Sequence, residues 1–363
     1  MTADATAAET AIRALAARIV PTDGDAAAEA QRLLDRKTKP TRSLGRLEDL
    51  VCQLAAIRGS GAPLPRVPGK AIVVMGADHG VAAEGVSAYP QEVTGQMLLN
   101  FARGGAAINV LARQTGARVV VIDMGVAHPA PERPEIRVRR IGPGTANFTR
   151  GPAMTRAQAV EALTTGAAQA DALAHDDVGL IGIGDMGIAN TTASSALAAV
   201  FTGAPPEETT GRGTGIDDQT FRRKVEVVRR GLEVNHPDAN DGIDVLAKVG
   251  GFEIAGLAGV VLGAAAARVP VLVDGFIAGV AALAAVRIAP HAAGYLIASH
   301  RSVEAGHRLV LQALGTKPLL DLDLRLGEGT GAALAMMLVD AAIAIAAEMA
   351  TFESAGVSSA TNP

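Results

Sequence analysis

The chain has 363 residues, with 33 Lys and Arg against 37 Asp and Glu and a formal net charge of −4. Hydrophobic residues make up 49% and charged residues 19%, which excludes a disordered chain, and the lack of a basic surplus, with 2 Tyr, 7 Phe and no Trp, argues against nucleic acid as partner. The single cysteine, Cys52, leaves no disulfide framework and no cysteine-rich zinc site.

Met1–Val20 carries Asp4 and Glu9 and lacks a basic n-region, so it does not read as a leader. The first 68 residues are helical in pattern, with apolar spacing of three to four over Asp25–Asp35 and Leu44–Ile57 around a basic loop at Lys37–Ser43. Gly59–Gly69, with three prolines and three glycines, reads as a connector. Beyond it, unbroken apolar runs predict strands at Ala71–Met75, Arg118–Ile122, Val178–Ile183, Val269–Val273 and Gly294–Ala298. Helical patterns separate them at Gln96–Gln114, Arg156–Ala174, Thr191–Phe201, Phe221–Val234, Glu253–Ala267 and Ile277–Ile288, and an alanine-rich helix is expected over Thr330–Met349. Strand–helix alternation of this kind argues an α/β fold, a mostly parallel Rossmann-like sheet covered by helices. The longest uncharged stretch, Met186–Pro206, holds Asn190, Thr191, Thr192, Ser194 and Ser195 and is no membrane span, so the chain reads as soluble and cytoplasmic.

Each strand candidate runs into a glycine or polar motif: Gly76–Gly80, Asp123–Gly125, Gly184–Gly187, Asp274–Gly275 and Ser299–His300. Ligands of open parallel sheets bind beyond the carboxyl ends of the strands, so the five clusters are expected to share one crevice. Gly182–Gly187 spells the dinucleotide fingerprint, but Glu207 and Glu208, at the distance of its acidic partner, follow no strand. A nucleotide-binding oxidoreductase is therefore the second reading. The turn into Asn190–Thr192 suits a phosphate at a helix N-terminus, or plain N-capping. Gly211–Gly215, with Thr214, followed by Lys224, makes another phosphate cradle. In Leu326–Gly331 a glutamate, Glu328, sits between two glycines, where it can serve as a general base or complement a helix dipole. Asp78, His79, Asp123 and Asp274 are the possible metal ligands, but the histidines are scattered and no metal is expected.

Taken together, Lys39-Pro40 with Ser43–Glu48, Ala77–Val81, Gly184–Thr192, Asp241–Leu246 with Lys248–Gly251, Val273–Phe276, Ser299-His300 and Arg325–Gly331 resemble the nicotinate-nucleotide–dimethylbenzimidazole phosphoribosyltransferases, in order and over nearly the whole chain. The resemblance implies a large parallel α/β domain (69–328), a small helical domain built from 1–68 and 329–363, and a homodimer. It implies transfer of phosphoribose from nicotinate mononucleotide to 5,6-dimethylbenzimidazole, with no cofactor. It puts the catalytic base on Glu328 and an assisting carboxylate on Asp185, where the family often has glutamate. Phosphate and nucleotide contacts fall on Gly187, Asn190, Thr191, Gly213, Thr214, Lys224, Ser302, Arg325 and Gly327, and base contacts on Tyr89, Met97 and Leu326. The Tyr89–Met97 segment varies in relatives, so the resemblance leaves room for another benzimidazole, or even a purine, as the preferred base. A non-catalytic base-binding relative is the third reading, against which the retained Glu328 speaks.

Overall fold

The computed structural model describes residues 3–61, 67–128, 131, 133–213 and 215–358. Its centre is a six-stranded sheet in which every pairing is parallel. The strands are β1 (Gly69–Ala77), β2 (Arg118–Gly125), β3 (Ile136–Val138), β4 (Val178–Met186), β5 (Val271–Val273) and β6 (Leu296–Ala298), in spatial order β3-β2-β1-β4-β5-β6. Strand order reverses between β1 and β4, which opens a crevice at their carboxyl ends. The register sets Met75 of β1 opposite Asp185 of β4, and Ile183 of β4 opposite Val273 of β5. Asp185 and Asp274 thus emerge from neighbouring strands at the same edge.

Successive side chains of β1 enter opposite cores. Ala71, Val73, Met75 and Ala77 join one, with residues of helices Arg156–His175, Phe252–Ala266 and Phe276–Ile288. Ile72 and Val74 join the other, with residues of Arg46–Arg58, Glu92–Ala102, Ala107–Thr115 and Thr330–Glu348. Burial on both faces explains why these strands show no polar alternation. The abundant glycine and alanine have a packing use. A Cβ on Gly166 would lie 1.8 Å from the Gly256 carbonyl, and one on Gly259 2.0 Å from that of Leu163, so helices Arg156–His175 and Phe252–Ala266 touch backbone to backbone. Thr330–Glu348 is long and apolar enough to cross a membrane, but half of its most apolar window is buried and it packs on Arg46–Arg58 and Ala107–Thr115.

Three expectations are corrected. Gln96–Gln114 is two helices, Glu92–Ala102 and Ala107–Thr115. Gly104 between them takes φ +77, and the Asn109 side chain accepts from the Ala106 amide to begin the second. β3 was not expected; it is a three-residue edge strand in a charged stretch, without the apolar run that betrays a buried strand. Helices Gly242–Val249 and Ala305–Ala313 also went unforeseen.

Candidate active site

A cavity of about 520 Å³ opens beyond the carboxyl ends of β4, β5 and β6. Of the residues expected at the site, Tyr89, Met97, Asp185, Gly187, Asn190, Thr191, Gly213, Ser302, Arg325, Leu326, Gly327 and Glu328 line it. Thr214 lies outside the described residues. Lys224 does not line the cavity. It is 1% exposed, and its Nζ donates to Thr191 Oγ1 (2.8 Å) and the Gly211 carbonyl (3.1 Å). Its charge stands one layer behind the wall, where a Cβ added to Gly213 would be 3.3 Å from Nζ. Burial lowers its pKa to about 8, against the opposing pull of Glu304.

Glu328 is held by an unusual piece of backbone. Gly327, Glu328 and Gly329 have φ of +79, +65 and +86, three left-handed residues in succession. A side chain in this region costs roughly 1–2 kcal/mol. The turn is fixed from several sides: the Glu328 amide donates to the Asp185 carbonyl (3.3 Å), and Thr330 Oγ1 donates to the Gly327 carbonyl (2.9 Å). The Glu328 carboxyl is buried, and among the described residues Oε2 has no hydrogen-bond partner. Burial pushes its pKa up, with the Ile108 amide opposing. A carboxylate held above its usual range and left with an open acceptor can take a proton.

Asp185, 6% exposed, receives the Asn190 side-chain amide at 2.8 Å and has a second oxygen without partner among the described residues. Burial raises its pKa to about 8, and the charge of Asp274 adds to that. Burial thus holds both carboxyls above the ordinary carboxylate range.

Beside Asp185, helix Asn190–Thr202 points its N-terminus at the cavity. Its first position is preceded by Ala189 at φ +71, and no side chain caps it. The capping reading of Asn190 and Thr191 is thereby corrected, because Asn190 turns to Asp185 and Thr191 Oγ1 accepts from Lys224. Arg325 Nη1 donates to the Gly213 carbonyl at 3.2 Å. A helix N-terminus, the buried Lys224 and Arg325 bring positive charge to this part of the cavity, with the Glu304 carboxyl beside them. The lining also includes the apolar Val93, Ile188, Phe276 and Ile277, and Glu304, none of which the sequence had singled out, and His300, which belongs to the Ser299–His300 cluster expected in the crevice. The signal was present. Phe276 and Ile277 follow β5 as Met186–Ile188 follow β4.

The five strand-end motifs converge only in part. Those of β4, β5 and β6 reach the cavity. Asp78 Oδ2 instead accepts from the Ala127 amide, and Asp123 Oδ1 from those of Gly125 and Val126. His79 and Glu253, both fully buried, pair at 2.7 Å, and Glu253 is near enough to raise the pKa of Asp185. Gly182 and Gly184 lie inside β4 rather than in a turn after it, so the dinucleotide fingerprint is a coincidence of spelling. Gly182 faces Ala332 and Met336, and Gly184 faces the Glu328 turn.

A parallel sheet with polar groups gathered at the carboxyl ends of its strands, and a cavity there that combines a helix N-terminus, an arginine and buried carboxyls, is the architecture of an α/β enzyme. A sequence model of the family described as "Phosphoribosyltransferase" matches residues 19–357. The nicotinate-nucleotide–dimethylbenzimidazole phosphoribosyltransferase of Chloroflexus aggregans is 57% identical over 340 residues, 94% of this chain and 96% of its own. That of a Roseiflexus species is 58% identical over 342 residues, again 94% and 96%. The crystal structure of CobT from Thermus thermophilus superposes with a TM-score of 0.89 at 48% identity, covering 93% of this chain and all of that one. The chain belongs to the nicotinate-nucleotide–dimethylbenzimidazole phosphoribosyltransferase family and is a phosphoribosyltransferase. The oxidoreductase reading is overturned by the same matches.

Asp185 carries a stability cost that can be measured. Its pKa is about 8 folded against an ordinary 3.8, so the folded state loses stability as pH rises between those values. Asp185→Asn removes the charge and keeps an acceptor for Asn190. The variant is expected to be more stable than the parent at pH 8, by about 5 kcal/mol, and close to it near pH 4. Thermal unfolding at the two pH values checks this; a variant less stable at pH 8 would contradict it.

Proposed function

We propose that this protein transfers the phosphoribosyl group of nicotinate mononucleotide to 5,6-dimethylbenzimidazole, giving α-ribazole 5′-phosphate and nicotinate. The observation that carries the reading is the arrangement of Glu328: a buried carboxylate with an open oxygen, on the same cavity as apolar residues, a helix N-terminus and Arg325. The names of the relatives, which state this donor and acceptor, support the same substrates.

The glycosidic nitrogen of the donor is cationic, and nicotinate departs with the bonding pair, becoming a neutral pyridine ring without help from an acid. One benzimidazole nitrogen bonds C1′ as the C1′–pyridine bond breaks. The N–H proton on the other nitrogen passes to Glu328. Thr191, Gly213, Ser302 and Arg325 receive the 5′-phosphate, with Asn190, Gly187 and Gly327 beside it. Tyr89, Met97 and Leu326 cover the base. Asp185, protonated, donates from its free oxygen. Fixing both reactants in line supplies a large part of the acceleration, up to roughly 7–11 kcal/mol in favourable cases.

Lys224 acts on the phosphate through Thr191 and through its field. Lys224→Ala is expected to raise KM for nicotinate mononucleotide about tenfold or more, and to lower kcat less, as befits a charge-assisted contact. Steady-state kinetics with that substrate varied check this; an unchanged KM would detach Lys224 from the phosphate. A cytoplasmic homodimer, with a small domain from 1–68 and 329–363 beside a large one from 69–328, belongs to the same proposal.

The test of the function is direct. Purified protein is given nicotinate mononucleotide and 5,6-dimethylbenzimidazole, and the products are quantified by mass. Equal amounts of nicotinate and α-ribazole phosphate are expected. Nicotinate alone would make the protein a hydrolase, and neither product would refute the proposed donor and acceptor.

A further inference from the structure

We infer that Asp274, at the end of β5, is the positioning residue that sets the catalytic carboxylate, an inference that rests on the reading of Glu328 as the base. Asp274 is 1% exposed. Its Oδ2 accepts from the Gly329 amide at 3.0 Å, and its Oδ1 from the amides of Gly331 (2.7 Å) and Ala332 (3.2 Å). These amides belong to the residues that follow Glu328 and open helix Thr330–Glu348. The helix has Gly329 at its N-cap and no side-chain cap of its own. A carboxylate from the neighbouring strand therefore does the work of the cap.

The consequence reaches Glu328 because of the turn it sits in. Three consecutive left-handed residues are not a conformation the segment would hold by itself, and a relaxed turn would carry the Glu328 side chain elsewhere. Asp274 binds the helix start to β5, while the Glu328 amide is bound to the Asp185 carbonyl of β4. The turn is thus stretched across two strands of the sheet and cannot rotate without breaking one attachment. Close packing enforces the contact. A Cβ on Gly331 would fall 2.8 Å from Asp274 Oδ1 and 2.0 Å from His300 Nδ1. Both Asp274 oxygens are engaged with backbone, and Asp274 does not line the cavity, so its effect on the reaction passes through Glu328.

A double-mutant cycle separates positioning from mere stabilisation. Asp274→Asn keeps the volume and one acceptor, but its NH2 opposes an amide donor. Turnover is measured for Asp274→Asn, Glu328→Gln and the pair, on protein shown by circular dichroism to be folded and by calorimetry to bind nicotinate mononucleotide. The expected result is a loss of about 10²-fold in kcat for Asp274→Asn, with KM for nicotinate mononucleotide within about twofold, since a displacement near 1 Å costs about that much. Added to Glu328→Gln, the substitution should cost no more than about twofold further. Wild-type turnover in Asp274→Asn, or an equal fold-loss in both backgrounds, would overturn the inference. Full activity in Glu328→Gln alone would instead remove the base assignment, a separate failure with its own signature. If Asp274→Asn does not fold, Asp274→Ser, which offers an acceptor without the opposing NH2, enters the same cycle with the same expectations.

Discussion

Glu328→Gln is expected to lower kcat by about 10²–10⁴-fold, the usual contribution of a positioned general base, while the affinity for nicotinate mononucleotide stays within about twofold. Glutamine has the same shape and keeps the carbonyl acceptor, but it cannot take the benzimidazole proton. The fold should not suffer, because the buried carboxyl is replaced by a neutral group and its Oε2 made no hydrogen bond among the described residues to lose. The pH dependence gives an independent signature. Burial raises the pKa of Glu328 above its ordinary 4.5, so parent turnover falls as pH falls through that raised value. In the variant this acid limb is absent. Steady-state rates across pH, with nicotinate release followed, test both parts. Turnover near that of the parent would move the base role to another group.

Gly184→Ala is expected to have a comparable effect on turnover from outside the reacting groups. A Cβ at this position of β4 would lie 2.2 Å from the Gly329 nitrogen, 2.4 Å from the Glu328 carbonyl carbon and 2.6 Å from its oxygen. All three are backbone atoms of the turn, held by Asp274 and Thr330, and no side-chain rotation can relieve the overlap. Strand or turn must move, at a cost of about 1–3 kcal/mol or more in stability, and Glu328 moves with it. Gly203→Ala is the control. Gly203 also has a positive φ, +71, but its Cβ would meet nothing within 4 Å. It should show only backbone strain of roughly 1–2 kcal/mol and unchanged turnover. Unfolding midpoints and kcat for the pair make the comparison. Parent-like turnover in Gly184→Ala would mean that the turn has room the packing does not suggest.

Most of the sheet was legible because its long strands are buried on both faces and carry runs such as Ile72-Val73-Val74, which few other environments tolerate. β3 was illegible for the opposite reason: an edge strand of Ile136-Arg137-Val138 has the composition of a loop. The break at Gly104-Gly105 was hidden because apolar spacing continues on both sides of it, while the glycines that turn the chain resemble the many that merely allow close packing. Gly182 and Gly184 show the same ambiguity. Their spacing imitates a phosphate-binding turn, yet they sit in a strand and make room for helix Thr330–Glu348 and the Glu328 turn.

The cavity was legible where its residues stand in glycine-rich segments, after β4 for Asp185, Asn190 and Thr191 and before helix Thr330–Glu348 for Glu328. It was not legible where depth decides. Lys224 has the right chemistry for a phosphate, but only the packing of Asp218–Asn235 behind Thr191 and Gly211 puts its ammonium out of direct reach. Asp274 is marked by position at a strand end, and its use could not be read until the amides of Gly329, Gly331 and Ala332 were found around it. A carboxylate after a strand can hold a metal, a substrate or a helix; the sequence is the same in each case.

The most direct test of the account is a crystal structure of the protein with 5,6-dimethylbenzimidazole and nicotinate mononucleotide, using Glu328→Gln to hold the reactants unreacted. The account predicts the benzimidazole ring against Met97 and Leu326, one ring nitrogen about 2.6–3.2 Å from the residue-328 side chain, the other facing C1′, and the phosphate at the Thr191–Gly213–Arg325 end. A ring bound with both nitrogens turned away from residue 328, or a phosphate at the apolar wall, would contradict it.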